Sequence, residues 1–96
     1  MSNLNITGGS EKQNAWATKI ANDWMAEYDW DLNNQKLRPE SDGMADYIKI
    51  LEENRIKLLN GFEKITAKVV IDMFVAKRNV AKAMLSQSLK EYQGTK

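Results

Sequence analysis

The first periodic segment of the chain predicts an amphipathic helix from residue 11 to about residue 29. Ser10 precedes this segment and Gln13 follows three residues later, which is the pairing of a capping box. Trp30 lies outside the apolar arc of the segment, so either the helix has ended before Trp30 or the tryptophan ring faces solvent. The apolar residues recur every three or four positions and fall in one arc of about 180°: Trp16, Ala17, Ile20, Ala21, Trp24, Met25, Tyr28 and Leu32.

A second amphipathic pattern follows a polar connection over residues 33–41. Pro39 disfavours helical geometry at Arg38 and is tolerated in a first helical turn, so this helix is predicted to start at Pro39 or just after it. Asn60 and Gly61 predict its end, because glycine readily adopts the left-handed conformation that follows many helices. Its apolar stripe consists of Met44, Tyr47, Ile48, Leu51, Leu58 and Leu59.

Residues 67 to about 92 predict a third, long helix that is apolar around more than half of its circumference. The β-branched residues 69–71 would also suit a strand, but helical spacing continues for about six turns and no second strand pattern is present. A helix of such apolar width must be covered on two sides. The prediction is therefore an all-α fold, a three-helix bundle with a long central C-terminal helix, covered either by the first two helices or through dimerisation.

The chain length suits one domain, since its 96 residues leave no room for a second. Residues 1–9 are polar with two glycines and predict a disordered N-terminal tail. Residues 10–93 then form a single helical domain. No secretory signal pattern and no apolar run of membrane-spanning length is visible, which predicts a cytoplasmic location and no membrane partner.

The composition disfavours an enzyme, because the chain contains neither cysteine nor histidine. Thiol nucleophiles, thiolate metal sites and the commonest general base are therefore excluded. We predict no catalytic residues, no cofactor and no metal. The net charge of +1 is unevenly distributed: residues 1–61 hold seven basic and ten acidic side chains (7 − 10 = −3), and residues 62–96 hold seven and three (7 − 3 = +4).

One polar segment raises the question of a calcium site. Four oxygen-bearing residues occupy positions one, three, five and twelve of an EF-hand-like loop: Asp29, Asp31, Asn33 and Glu40. However, Asn34 stands at the turn position where glycine is preferred, Lys36 places a cation inside the loop, and Pro39 restricts the chain before the last ligand. The favoured interpretation is a polar linker between two helices.

Arg55 and Arg78 lie in the core-facing rows of the second and third helices. A charge in such a row must be paired or must reach solvent along its apolar stem. One interpretation pairs each arginine with a carboxylate of another helix, such as Asp23 or Glu27. The other holds that Arg78 marks a binding face, because arginine beside aromatic and methionine side chains is typical of interfaces.

The second interpretation predicts a partner-binding surface that combines the tryptophan outside the apolar arc, the acidic linker and a basic group on the third helix. Nucleic-acid binding is the alternative, since several lysines lie in residues 62–96. They spread around the helix instead of forming one stripe, which disfavours a phosphate-binding face. The candidate partner-binding residues are Trp30, Asp29, Asp31, Glu40, Lys77, Arg78 and Lys82.

Two segments resemble small uncharacterised proteins of phages and mobile elements in Gram-positive bacteria. They are GSEKQNAWATKI over residues 9–20 and TAKVVID over residues 66–72, together about a quarter of the chain. Val69 and Val70 stand where aromatic residues are common in that group, and Phe74 stands where a polar residue is common. The resemblance implies a phage setting, in which small helical proteins often inhibit a host machine by occupying its surface; anti-CRISPR proteins are of this type.

The sequence thus predicts a non-enzymatic protein-binding module of the phage or mobile-element type. The expected partner is a protein, such as a host defence nuclease complex, in the cytoplasm of the host bacterium. The alternative is a small nucleic-acid-binding or regulatory helical protein. A homodimer is a further expectation, because it would cover the apolar width of the third helix.

Overall fold

The structure, a computed structural model, describes residues 4–37 and 44–94. The all-α prediction is confirmed: these residues form four helices, and their only β-type pairing is an isolated bridge between Thr7 and Thr66. The helices are α1 (Glu11–Leu37), α2 (Met44–Lys64), α3 (Ala67–Val75) and α4 (Val80–Gly94).

Helix α1 is the central helix of the fold and contacts each of the other three described helices. It begins at the predicted capping box: the Ser10 backbone N–H donates to Gln13 Oε1 at 2.9 Å, and the Gln13 N–H donates to Ser10 Oγ at 3.2 Å. Its predicted end near residue 29 is wrong, because the helix continues to Leu37. Leu32 is buried and Lys36 pairs with Glu52 of α2 at 3.3 Å, and these contacts hold the additional turns.

Helix α2 runs antiparallel to α1 and also extends past its predicted end. Gly61 lies inside the helix, with open space around its Cα. Phe62 explains the extension, since its ring is buried and stacks on Trp24 of α1 with centroids 6.1 Å apart. The predicted start of this helix at Pro39 lies outside the described residues.

The predicted single long C-terminal helix is wrong, because residues 76–79 separate α3 from α4. Lys77 adopts a left-handed conformation with φ of 60°. The Lys77 N–H donates to the Phe74 carbonyl at 3.0 Å and the Arg78 N–H to the Met73 carbonyl at 2.9 Å. This is a Schellman motif in which lysine occupies the position that glycine usually takes. The described residues thus form four helices where three were predicted, and α1 is the longest of the four.

Asn79 immediately precedes α4 and connects the break to α1. Its Oδ1 accepts the Lys82 N–H at 3.0 Å, which is an N-cap, and its Nδ2 donates to Glu27 of α1 at 2.9 Å. Since α4 meets α1 here and α3 meets it near Trp16, both C-terminal helices follow α1 in the same direction. The break is thus stabilised by a local motif and by a tertiary contact together.

The C-terminal half of α1, α2 and α4 form what we call the three-helix end. Tyr28 is fully buried there and donates to the Leu51 carbonyl at 2.6 Å. Burial raises the pKa of Tyr28 to about 12. Asn54 and Ser88 are the buried polar residues of this end, joined by a 2.8 Å hydrogen bond. Polar groups at this end are therefore buried together with their partners, as stability requires.

Asn54 also links the buried pair to the surface of α4. Its Nδ2 donates to Glu91 Oε2 at 2.8 Å. This hydrogen bond, followed by one from Gln87, lowers the pKa of Glu91 below its ordinary value. The ionised Glu91 therefore stabilises the fold above the ordinary carboxylate pKa, and that contribution is lost as the pH falls through the lowered value.

The N-terminal half of α1, α3 and the tail over residues 4–9 form what we call the two-helix end. The tail was predicted to be disordered, but Ile6 is only 1% exposed and packs in the core. The Ile6 N–H donates to Thr18 Oγ1 at 2.9 Å, and the Ala67 N–H at the start of α3 donates to the Thr7 carbonyl at 2.9 Å. Apolar burial and these hydrogen bonds together position a segment whose polar composition suggests disorder.

Candidate protein-binding surface

The calcium-type positions do not form a loop. Asp29, Asp31 and Asn33 lie within α1, where side chains two residues apart point in roughly opposite directions, and Glu40 lies outside the described residues. Within residues 4–37 and 44–94, no group of three or more His, Cys, Asp or Glu side chains is placed to hold a metal ion. The interpretation of residues 33–41 as a linker is wrong for residues 33–37, which are the last residues of α1.

Arg55 pairs with a carboxylate across the interface of α1 and α2. Its Nε donates to Asp29 Oδ1 at 2.5 Å and its Nη2 to Asp29 Oδ2 at 3.1 Å. This hydrogen bonding raises the pKa of Arg55 further above its usual value. Pairing with another helix was predicted, but through Asp23 or Glu27. The observed partner makes Arg55 and Asp29 structural residues of the three-helix end.

Exposed apolar residues and two cations meet at the turn between α3 and α4. Phe74 and Val75 are 47% and 67% exposed, and the Trp16 ring meets Phe74 edge-on with centroids 6.0 Å apart. Lys77 and Arg78 follow in the turn and are both exposed. Arg78 therefore faces solvent, because the break removes it from the core-facing row predicted for it. We call these five residues the corner surface.

The corner surface is exposed because α3 is thinly covered. Seven of the nine residues of α3 are apolar (AKVVIDMFV), yet among the described helices it contacts α1 alone. Ala67 and Val70 are buried against α1, whereas Val69, Phe74 and Val75 remain exposed. The excess apolar width inferred from the sequence is thus present in the structure, and no second helix of the described residues packs on it.

The charges that line the surface grooves differ from one groove to the next. The groove between α1 and α2 has two carboxylates and two cations, and the groove on the outer side of α3 has Asp72 and Arg78. A third groove, which we call the corner groove, has two cations and no carboxylate. It is lined by Trp24, Phe74, Val75, Lys77, Arg78 and Asn79. Of the three, the corner groove is the one suited to an apolar group that carries a negative charge.

Trp30 presents its ring to solvent on the outer face of α1. It is 68% exposed, and Leu37, seven residues later and therefore on nearly the same face, is 82% exposed. This is the second of the two alternatives that the sequence left open for Trp30. Together the two exposed side chains form an apolar strip on this face of α1, and an exposed apolar patch is a candidate contact site.

The seven predicted partner-binding residues fall in different parts of the fold. Asp29, Trp30 and Asp31 lie on α1, with Asp29 bound to Arg55 and Asp31 half-buried. Lys77 and Arg78 belong to the corner surface. Lys82 lies exposed in the first turn of α4, and Glu40 lies outside the described residues.

The sequence did not identify the apolar half of the corner surface. Trp16 was placed in the core arc but is 45% exposed, and Val75 was not among the candidate binding residues. One signal was present, because Trp16 lies at the edge of its arc. The position of the break, which exposes both residues beside two cations, was not visible.

Comparison with protein-family models, curated proteins and solved structures found no match for this chain. A search of the described helices for a segment of membrane-spanning length and hydropathy found none.

Proposed function

We propose that this chain is a non-enzymatic protein-binding module of the phage or mobile-element type. It inhibits a bacterial defence nuclease complex, as anti-CRISPR proteins do, by occupying a surface of that complex. The observation that carries the proposal is the corner surface, where Trp16, Phe74 and Val75 are exposed beside Lys77 and Arg78. The direction toward a defence system comes from the resemblance of residues 9–20 and 66–72 to phage proteins.

The chemistry of the corner surface suits a protein partner. Tryptophan and arginine are enriched among the residues that dominate binding energy, particularly where a partner excludes water from them. Complete burial of a side chain such as phenylalanine or valine contributes about 1.5–3 kcal/mol. Since Phe74 and Val75 are already partly covered, the gain on binding would be about half of that for each.

The corner surface is also held in place before binding. The Schellman motif fixes the backbone from Phe74 to Arg78, and Asn79 attaches the turn to Glu27 of α1 at 2.9 Å. A partner therefore loses little free energy in ordering this surface, which favours affinity. The homodimer that the sequence also predicts would use the same surface, because a second copy is one protein that could cover α3.

A plaque assay tests the function. The chain is expressed in bacteria that each carry one defence system, and the bacteria are infected with a phage that the system restricts. We expect plaque formation to return against one system, and the purified chain to inhibit the corresponding nuclease complex at a stoichiometric ratio. The double variant Phe74→Ser, Val75→Ser should lose both effects, because it removes the exposed apolar contacts.

A matched control uses an exposed apolar residue elsewhere. Ile56 of α2 is 59% exposed, so Ile56→Ser should keep full inhibition. Circular dichroism should show the same helical content for all variants. Inhibition at far less than stoichiometric amounts would indicate catalysis and contradict the proposal. Binding to DNA alone that weakens steeply with salt would favour the nucleic-acid alternative.

A further inference from the structure

We propose that the corner groove is a self-recognition site, in which Trp30 of a second copy binds between Phe74, Val75 and the two cations. Two such contacts form a symmetric dimer, with each copy giving one tryptophan and receiving another. The inference rests on the proposed function only in that it uses the same surface. The dimer covers the surface that the defence complex would bind, so the two assemblies exclude each other.

Charge complementarity selects the occupant of the groove. The corner groove contains Lys77 and Arg78 and no carboxylate. Trp30 is an exposed aromatic side chain that stands between two aspartates in the sequence. Asp29 is bound to Arg55 within its own chain, so Asp31 is the carboxylate that would meet the cations of the second copy. The opposite charge balances of residues 1–61 and 62–96 act in the same direction.

The side chain of Trp30 suits the groove better than the other exposed apolar residues do. A tryptophan ring offers a large apolar area for Phe74 and Val75, and its face attracts a guanidinium such as that of Arg78. Leu37 and Ile56 are exposed as well, but neither offers an aromatic face.

The fold places donor and acceptor close together along α1. Trp16, which touches Phe74 of the corner surface, and Trp30 are separated by two intervals of seven residues, and each interval returns to within about 20° of the same helix face. Asn79 of the corner groove contacts Glu27, which precedes Trp30 by about one turn of α1. Trp30 therefore lies beside its own corner groove but faces outward from it.

This arrangement leads to a closed dimer. When a tryptophan and its receptor groove lie side by side on one face, a two-fold axis between them brings each tryptophan opposite the groove of the other copy. Both contacts then form at once, which is the reciprocal pairing of an isologous interface. No further copies can add, because both grooves are filled.

Sedimentation of the full chain over a range of concentrations tests the inference. We expect the wild type to change from monomer to dimer as its concentration rises. Trp30→Ser and the double variant Lys77→Glu, Arg78→Glu should each weaken dimerisation at least about tenfold, as the loss of a central contact does. Adding Asp31→Lys to the double variant should restore part of the dimer, because the charges are then exchanged across the interface.

Leu37→Ser provides the control, since it removes an exposed apolar residue near Trp30 but outside the proposed contact. It should dimerise like the wild type. A wild type that stays monomeric, a dimer that survives Trp30→Ser, or a charge exchange that restores nothing would each overturn the inference.

The plaque assay separates this inference from the proposed function. A dimeric wild type without any anti-defence effect would contradict the function and leave the dimer standing. A monomeric wild type that inhibits through Phe74 and Val75 would assign the corner groove to an unlike partner and reject the dimer.

Discussion

The two ends of the molecule are stabilised in different ways. At the three-helix end, α1, α2 and α4 enclose Tyr28 and Leu51, and the buried Asn54 and Ser88 are hydrogen-bonded to each other. At the two-helix end, α1 has one helix and an extended tail as neighbours, and Val69, Phe74 and Val75 of α3 face solvent. Both ends contain one half of α1, so they differ in the elements that pack on that helix.

This difference changes what each end offers a partner. The three-helix end encloses its central apolar residues and pairs its buried polar ones, while Trp30, Leu37 and Ile56 remain exposed. The two-helix end leaves aromatic and aliphatic side chains exposed beside cations at the corner surface. Binding sites are commonly located where local packing is thin and the underlying scaffold is rigid. The break between α3 and α4 lies at the boundary between the three-helix end and the two-helix end.

The largest expected effect distinguishes the cores of the two ends. Leu51→Ala should lower the free energy of unfolding by about 2–5 kcal/mol, because the side chain is fully buried between helices and its loss leaves a cavity. Ile6→Ala should cost less, about 1–2 kcal/mol, since the tail can detach without global unfolding. Chemical denaturation measures both changes.

Hydrogen exchange sharpens that test. The Ile6 amide, which donates to Thr18 at 2.9 Å, should exchange much faster in Ile6→Ala, while the amides of α2 remain protected. Equal losses of stability in the two variants, with uniform exchange throughout, would show that the two ends unfold as one unit.

An intermediate effect depends on pH and on the three-helix end alone. Burial raises the pKa of Tyr28 to about 12 from an ordinary value near 10. The folded state therefore retains a proton that the unfolded state releases, and stability falls as the pH rises from 10 toward 12. The loss should be roughly 3 kcal/mol, since each pKa unit corresponds to about 1.36 kcal/mol.

The comparison variant is Tyr28→Phe. It should be less stable at neutral pH by about 1 kcal/mol, because the hydrogen bond to the Leu51 carbonyl is lost. Its stability should fall less than that of the wild type between pH 10 and 12. Parallel curves for the two proteins, obtained by urea denaturation at each pH, would contradict the assignment.

The smallest expected effect concerns the boundary itself. Lys77 has a φ of 60°, a conformation that costs a non-glycine residue about 1 kcal/mol. Lys77→Gly should therefore raise the free energy of unfolding by up to about 1 kcal/mol, which thermal denaturation would show as a slightly higher melting temperature. Lys77→Ala removes the same charge without relieving the backbone, so it should not stabilise. If both variants behaved alike, the effect would be due to charge and not to the backbone.

Much of α1 and α2 could be predicted from the sequence, because their signals are local. The capping box at Ser10 depends on residues three apart, and it is present with both hydrogen bonds. The apolar arc of α1 is buried except for Trp16, and Leu51 and Leu58 of the second stripe are buried. Periodicity at helical spacing reports which side of a helix will be covered, and it did so here.

The break and the tail could not be predicted in this way. Residues 62–93 contain no glycine or proline, so nothing in the local sequence requires α3 to end at Val75. The Schellman motif at Lys77 is accompanied by the contact of Asn79 with Glu27, 52 residues away in the chain. The tail likewise depends on side chains of α1 that accept its backbone hydrogen bonds. The corner surface follows from the break, and its apolar members could not be recognised without it.

The manner in which Asn22 binds the tail has a chemical consequence. Its Oδ1 accepts the Leu4 N–H at 2.9 Å, and its Nδ2 donates to the Leu4 carbonyl at 3.3 Å, so one amide side chain does what a neighbouring β-strand would do. Only a side chain with a donor and an acceptor side by side can serve both groups. Deamidation of Asn22 to aspartate would remove the donor and place a negative charge against the carbonyl oxygen. A single ageing reaction would thus weaken the contact of Leu4 with α1, while the hydrogen bonds of Ile6 and Thr7 remain.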